Sequence, residues 1–342
     1  MRAARLAVVL ILGLATVAAA VALSCLLGAQ PISLARAMAG AEPDRAILLE
    51  LRLPRALLGA VVGCALASAG TALQALLRNP LAEPFVLGVS GGAALGGSLV
   101  LVAANAATQL LGPGAAVLTA ASPVALGSVA GATGATVLVF ALGRVQGRLV
   151  PEAALLVGVV FNAFSAAVIT LLQFLVAPQQ AVQLLRWLIG AIRYERSGTL
   201  VVGAVFMLAA VGALVLLSAR LNLLTLGEDE AASLGIHVGR TRAAVLLAAS
   251  AATGAAVALS GMVGFVGLIV PHAARRVLGP DHRLLLPASA LFGAAFLVVA
   301  DALARVAFVP LGTEPPVGAL TAFLGGPLFL WLLRRADRPG QG

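Results

Sequence analysis

The sequence predicts an all-α membrane protein with ten transmembrane helices, and three observations carry that prediction. The chain is 61% hydrophobic and only 10% charged, with a mean hydropathy of +1.08, against about 25% charged residues in soluble domains. Its apolar residues fall in long runs repeated along all 342 residues, and runs of that length cross a bilayer. The runs do not alternate as barrel strands do. Backbone groups in lipid must be paired within their own segment, so the spans are helices.

In chain order the spans are expected at about 7–28, 56–77, 88–111, 115–142, 153–177, 199–218, 243–262, 264–278, 284–308 and 317–333. The first follows Arg2 and Arg5 in the manner of a signal peptide, but its apolar run is too long for one and nine more spans follow. The second carries Gly59-Ala-Val-Val-Gly63, and the third carries Gly91, Gly92, Gly96 and Gly97. Small residues at such spacing let helices approach closely in lipid. The eighth is short for a hydrocarbon depth of about 20 residues and is expected to be broken or tilted. The whole of 1–342 is taken as a single transmembrane domain, with a cytoplasmic loop at about 219–242.

All 22 basic residues are Arg. Without Lys the chain cannot hold a conventional phosphate-binding loop, nor can it form a Schiff base. With the N-terminus inside, fourteen Arg face the cytoplasm (2, 5, 78, 144, 148, 220, 240, 242, 275, 276, 283, 334, 335, 338), while seven face out (36, 45, 52, 55, 186, 193, 196). That excess places both termini in the cytoplasm. The net charge of +9 is therefore topology and not a nucleic-acid surface. Cys25 and Cys64 lie in apolar runs and read as core thiols. His237, His272 and His282 are not at metal-ligand spacing, and no nucleophile–base set is present, so neither a metal site nor a catalytic site is expected.

Four polar features stand out. Leu221 to Arg242 is a polar island holding Glu228, Asp229 and Glu230, three of the thirteen acids. Thr225 is placed as the cap of a capping box, the acids fall in a first helical turn, and Gly235 is placed to end the helix. The island is either a handle for a partner outside the membrane or a solvated loop. Arg52 and Arg55 flank Pro54 before the second span, suited to docking carboxylates or to anchoring at the interface. Asp301 and Arg305 are four apart and can pair on one helix face, or Arg305 can present charge outside. Asn162, Ser165 and Gln173 share a broad face of the fifth span, which either lines a path or bonds to a neighbouring helix.

Taken together, RLPR (52–55), Gly59 to Gly70, Gln74, RNPLAEP (78–84), LGEDEAASLG (226–235), SGMVGFVGLIVPH (260–272), GPDHRLLLP (279–287) and PVGALTAFLGGPLFLWLLRR (316–335) resemble the FecCD-type permeases. These are the membrane subunits of type II ABC importers for iron-siderophores, haem and cobalamin. The resemblance runs in order from residue 50 nearly to the end.

It implies the type II importer permease fold, a homodimer in the inner membrane, two separate ATPase subunits carrying the ATP and Mg, and a periplasmic substrate-binding protein. This chain itself holds no cofactor and is no enzyme. ATPase coupling falls on Glu228, Asp229, Ala231, Leu234, Gly235 and Ile236. Docking of the binding protein falls on Arg52, Arg55 and Arg305. The inner gate matches Asn79 and Leu81 and, less well, Val150, Pro151 and Glu152. The path is lined by spans five and ten, with Asn162, Ser165 and Gln173 on the former. The cargo implied is an iron chelate, siderophore or haem, with cobalamin as the alternative. The rival classes are a secondary transporter coupled through Asp301 and Arg305 and, less favoured, an intramembrane enzyme.

Overall fold

The computed structural model describes residues 2–28, 30–112, 121–145, 148–192, 197–307 and 314–336. Arg193, Arg196, Arg338, the expected start of the fourth span at 115–120 and the end of the ninth at 308 lie outside the described residues.

The helices are α1 (Arg2–Leu26), α2 (Leu34–Met38), α3 (Asp44–Ala46), α4 (Leu53–Leu76), α5 (Val89–Leu111), α6 (Ala121–Leu142), α7 (Pro151–Leu175) and α8 (Pro178–Leu188). They continue with α9 (Ser197–Leu216), α10 (Ser218–Leu224), α11 (Glu228–Ser233), α12 (Val238–Ser260), α13 (Val266–Leu278), α14 (His282–Ala307) and α15 (Val317–Ala336). Among the described residues the only strands are β1 (Arg144–Val145) and β2 (Arg148–Leu149), a minimal antiparallel hairpin ahead of α7. Among the described residues eight helices are long and apolar enough to cross a membrane. The eighth expected span is α13, only 13 residues with Pro271 inside it. It is set off from α12 by a break at 261–265, where Gly261 (φ 67°) and Phe265 (φ 67°) turn the chain.

Helix α4 is buried along nearly its whole length and packs against α14, α12, α13 and α9. It is apolar all round, as a helix enclosed by others must be. Small residues set the distances. A Cβ added at Gly63 would run into the carbonyl of Gly293 on α14, and one at Gly96 into the carbonyl of Gly127 on α6. The glycine pattern thus marks close helix contact, as expected. Gly63→Val should lower stability by about 1–3 kcal/mol, the usual range for overpacking. Gly134→Ala, on α6 with nothing within 4 Å, should leave thermal unfolding in detergent unchanged. Equal melts for the two variants would contradict the close contact. Cys25 and Cys64 are both free and buried.

The expected start of the second span and one expected loop are corrected. The span's helix begins at Asp44, not near 56, and Ile47–Arg52 forms a π-helical turn before α4. Pro54 lacks an N–H and crowds the carbonyl four residues back. The wider π turn lets the helix run on through it. A further helix, α8, occupies what was expected to be an outer loop. Pro178 opens it, and Leu184 and Leu188 are its buried residues.

Candidate functional site

The polar island folds into α10, α11 and the first turn of α12. Its acids do occupy the first turn of α11, and Gly235 has φ 84° just past its end. The capping box does not form. The Thr225 hydroxyl donates to the Asn222 carbonyl at 2.7 Å and so closes α10, while Gly227 stands at the start of α11 without a side-chain cap. Glu228 pairs with Arg242 of α12. Ala231 is fully buried, so it anchors α11 to the bundle and cannot touch a partner. The exposed surface comprises Leu226 (60% exposed), Asp229, Glu230, Leu234 (58% exposed) and Gly235, with Ile236 half-buried.

Beside α11 lies the turn after α4. Asn79 accepts the Leu81 N–H at 2.9 Å through its side-chain oxygen, an Asx turn that starts the loop back into the bundle. A cavity of about 350 Å³ is lined by Asn79, Pro80, Pro151, Glu152, Glu228 and Arg242, among others. It therefore brings together three of the five expected gate residues and one end of the coupling segment. Leu81 and Val150 sit next to it in sequence without lining it; Val150 stands at the N-cap of α7, where its apolar side chain offers no capping hydrogen bond.

The same loop buries Glu83. One carboxylate oxygen accepts the backbone N–H of Phe265 at the start of α13, and Oε2 has no partner among the described residues. Burial pushes this carboxyl up to about 8, against the opposing pull of the Phe265 N–H. Nearby, Gln74 donates to the Gly267 carbonyl at 3.1 Å and accepts from Arg275 at 2.9 Å. The start of α13 is thereby tied to both α4 and the loop that follows it.

At the opposite end, the three expected docking arginines lie close together, Arg52 and Arg305 buried and Arg55 half-buried. Arg55 donates to both oxygens of Asp301 (2.9, 3.0 and 3.3 Å) and pairs with Glu314 at 3.1 Å. Arg305 lies 3.2 Å from the same Asp301 carboxylate and bonds to Ser24 and to the Leu27 carbonyl. Arg52 is buried and donates to the carbonyls of Cys25, Leu26 and Gln30, satisfying the open end of α1. Arg52 and Arg305 are thus not surface groups, contrary to expectation. The π turn swings Arg52 inward, and Arg305 is drawn in by Asp301. Arg55 opens on a cavity of about 480 Å³, shared with Arg186, Ile189, Glu314 and Pro315.

The model of the FecCD transport family matches residues 11–335, nearly the whole chain. The protein belongs to the FecCD transport family. It is similar to the hemin transport system permease protein HmuU of Yersinia pestis, at 42% identity over 86% of this chain and 85% of that one. It is similar at 42% identity to the cobalamin import system permease protein BtuC of Halobacterium salinarum, over 86% of this chain and 74% of that one. Among solved structures it is similar to an inward-facing metal-chelate type ABC transporter, with TM-score 0.79, 28% identity, and coverage of 96% and 99%. The chain is therefore a multi-pass permease subunit of an importer, and ATP hydrolysis belongs to a separate subunit. Permeases of this kind work with an ATPase and a substrate-binding partner.

In this FecCD permease the polar residues of α7 differ in burial: Ser165 is buried, Asn162 and Gln173 are half-buried, and Thr170 is exposed. Asn162 donates to the Phe85 carbonyl at 2.7 Å, and Ser165 is fully buried. For Asn162 the structure thus shows a bond to a neighbouring segment, the second of its two expected uses, whereas the Ser165 hydroxyl has no hydrogen-bond partner among the described residues. The same helix carries Leu156, Val160, Phe164, Leu171 and Phe174, all exposed. Sequence reading missed Arg242, Glu83, Arg275 and the bond from Asn222 to Asp281 (2.6 Å). A usable signal existed for Glu83, a lone acid inside Pro80–Val86.

Proposed function

We propose that the protein carries an iron chelate, siderophore or haem, across the inner membrane by alternating access, with both termini cytoplasmic. Two copies form the permease, two ATPase subunits with their ATP and Mg seat on the α11 surfaces, and a binding protein delivers the chelate outside. The observation that carries this reading is the cavity shared by Asn79, Pro151, Glu152 and Glu228. Because α11 and the turn after α4 wall the same space, a displacement of α11 by an ATPase reaches the inner turn without an intervening element. Ala231 locks α11 to the bundle, so the helix moves what it is attached to.

Exposed Leu226 and Leu234 flank the acids and supply the apolar contact, while Glu228 is spent on Arg242. The exposed apolar face of α7, together with exposed Phe323, Leu324 and Leu330 on α15, supports placing both helices along a twofold path. Outside, the mouth around Arg55 and Arg186 receives the binding protein, and Arg52 and Arg305 shape it from beneath. The haem relative and the metal-chelate transporter favour an iron chelate, and the cobalamin relative keeps that cargo as the second reading.

Uptake of labelled haem, ferric siderophore and cobalamin by cells carrying the complete transporter separates the cargoes. Uptake of cobalamin alone would overturn the iron reading. The Leu226→Glu/Leu234→Glu variant should weaken ATPase association about tenfold or more, the scale of losing central interface anchors. A variant that retains its ATPase through purification would refute the assignment of this surface.

A further inference from the structure

At the end of the bundle that holds the start of α1, a groove of about 710 Å³ runs between α1, α10 and α14. Arg5, Arg220 and Arg283 line it, one from each helix, and all three are exposed. Among the described residues none of the three guanidiniums makes a hydrogen bond or an ion pair. The groove's one acid is Asp281, whose Oδ1 is taken by the Asn222 amide at 2.6 Å and the Arg283 backbone N–H at 3.1 Å. Three positive charges against one negative leave the groove at +2. Between the arginines the walls are apolar, with Leu223, Leu278 and Leu284.

We infer that this groove binds the headgroup of an anionic phospholipid. Charge alone would suit any anion, but the surroundings narrow the choice. Helix α1 stands at the edge of the bundle with most of its length exposed. Val8, Ile11 and Leu12 follow Arg5 within two turns and are 54%, 67% and 58% exposed. A phosphate held by the three arginines therefore sits where an acyl chain can continue along the apolar surface of α1. Basic pockets between membrane helices bind anionic headgroups on this principle, and arginine forks match phosphate oxygens in pairs. The exposed Leu226 and Leu234 that flank α11 do not line the groove, so the surface proposed for the ATPase and the lipid site are separate, adjoining only at Ile236. The bound lipid would splint α1, α10 and α14 together beside the coupling segment.

The test uses the full-length protein in neutral detergent, read by native mass spectrometry. The probes are phosphatidylglycerol, phosphatidylcholine with the same acyl chains, and inorganic phosphate. Phosphatidylglycerol should stay bound where phosphatidylcholine does not, and the Arg5→Gln/Arg220→Gln/Arg283→Gln variant should bind it about 100-fold more weakly. Arg334→Gln, at an exposed arginine outside the groove, should bind as the wild type does. Equal binding of both lipids, or equal retention by the triple variant, would overturn the site. So would displacement of phosphatidylglycerol by millimolar inorganic phosphate, which would mark a site for a free anion. Loss of the ATPase subunit from the triple variant with lipid binding intact would make the groove a protein contact instead. Should the triple variant not fold, the wild type still decides: phosphatidylglycerol affinity must fall as salt rises, and a flat response refutes the charge-based site.

Discussion

Asp301→Ala should cost about 3–5 kcal/mol of stability, because it strands two arginines around a buried gap. Asp301 is 2% exposed and is the shared carboxylate of Arg55 and Arg305. Arg305 would keep its bonds to Ser24 and Leu27 but lose its ion pair with Asp301, and Arg55 would keep its pair with the half-exposed Glu314. The variant should accumulate poorly in the membrane and melt well below the wild type. Asp301→Asn, which keeps the shape and an acceptor, should fall between them. Replacing Asp301, Arg55 and Arg305 together by apolar residues should recover much of the loss, since an intact ion cluster gains little over good packing. The same set separates this reading from an ion-coupled transporter. There, Asp301→Asn would abolish uptake and leave the melt unchanged.

Glu83→Gln should flatten the fall of stability with pH. The folded carboxyl titrates at about 8, and the unfolded one at its ordinary value of 4.5. Between about pH 5 and 8 the unfolded chain gives up this proton while the folded chain keeps it. Raising the pH therefore favours unfolding, by about 1.4 kcal/mol for each pH unit across that window. A glutamine side chain has no proton to lose, so the Glu83→Gln variant should match the wild type near pH 5 and exceed it by roughly 3 kcal/mol at pH 8. Melts of both proteins across that range test this, because every other titrating group is common to the two. Parallel curves would mean that Glu83 reaches water and ionises normally.

The spans were legible because lipid demands long apolar runs, and the first turn of α11 because three acids in a row have few other homes in such a chain. Gly235 was legible for the same local reason. What failed was whatever competing contacts settled, some of them local and some far along the chain. Arg52 looked like a surface group at a helix entrance, and only the π turn reveals that it faces α1. Thr225 sat at capping-box spacing, yet α10 reached it first. Ala231 read as a contact residue, although on a six-residue helix one side must be the buried one. Gln74 meets Arg275 across 201 residues, a separation over which no periodicity carries information. The gate cavity was half legible, since the turn at Asn79 and the start of α7 were each named while their meeting with Glu228 was not.

The two buried thiols have a practical side. Cys25 and Cys64 are 7% and 9% exposed, and the chain contains no lysine. A maleimide or an amine-reactive dye thus finds almost nothing to modify on the folded protein. Cysteines introduced at both Leu234 and Arg186 would carry spin labels or fluorophores against a silent background, with both native thiols left in place. Distances between the two ends of the transporter become measurable in the unaltered core.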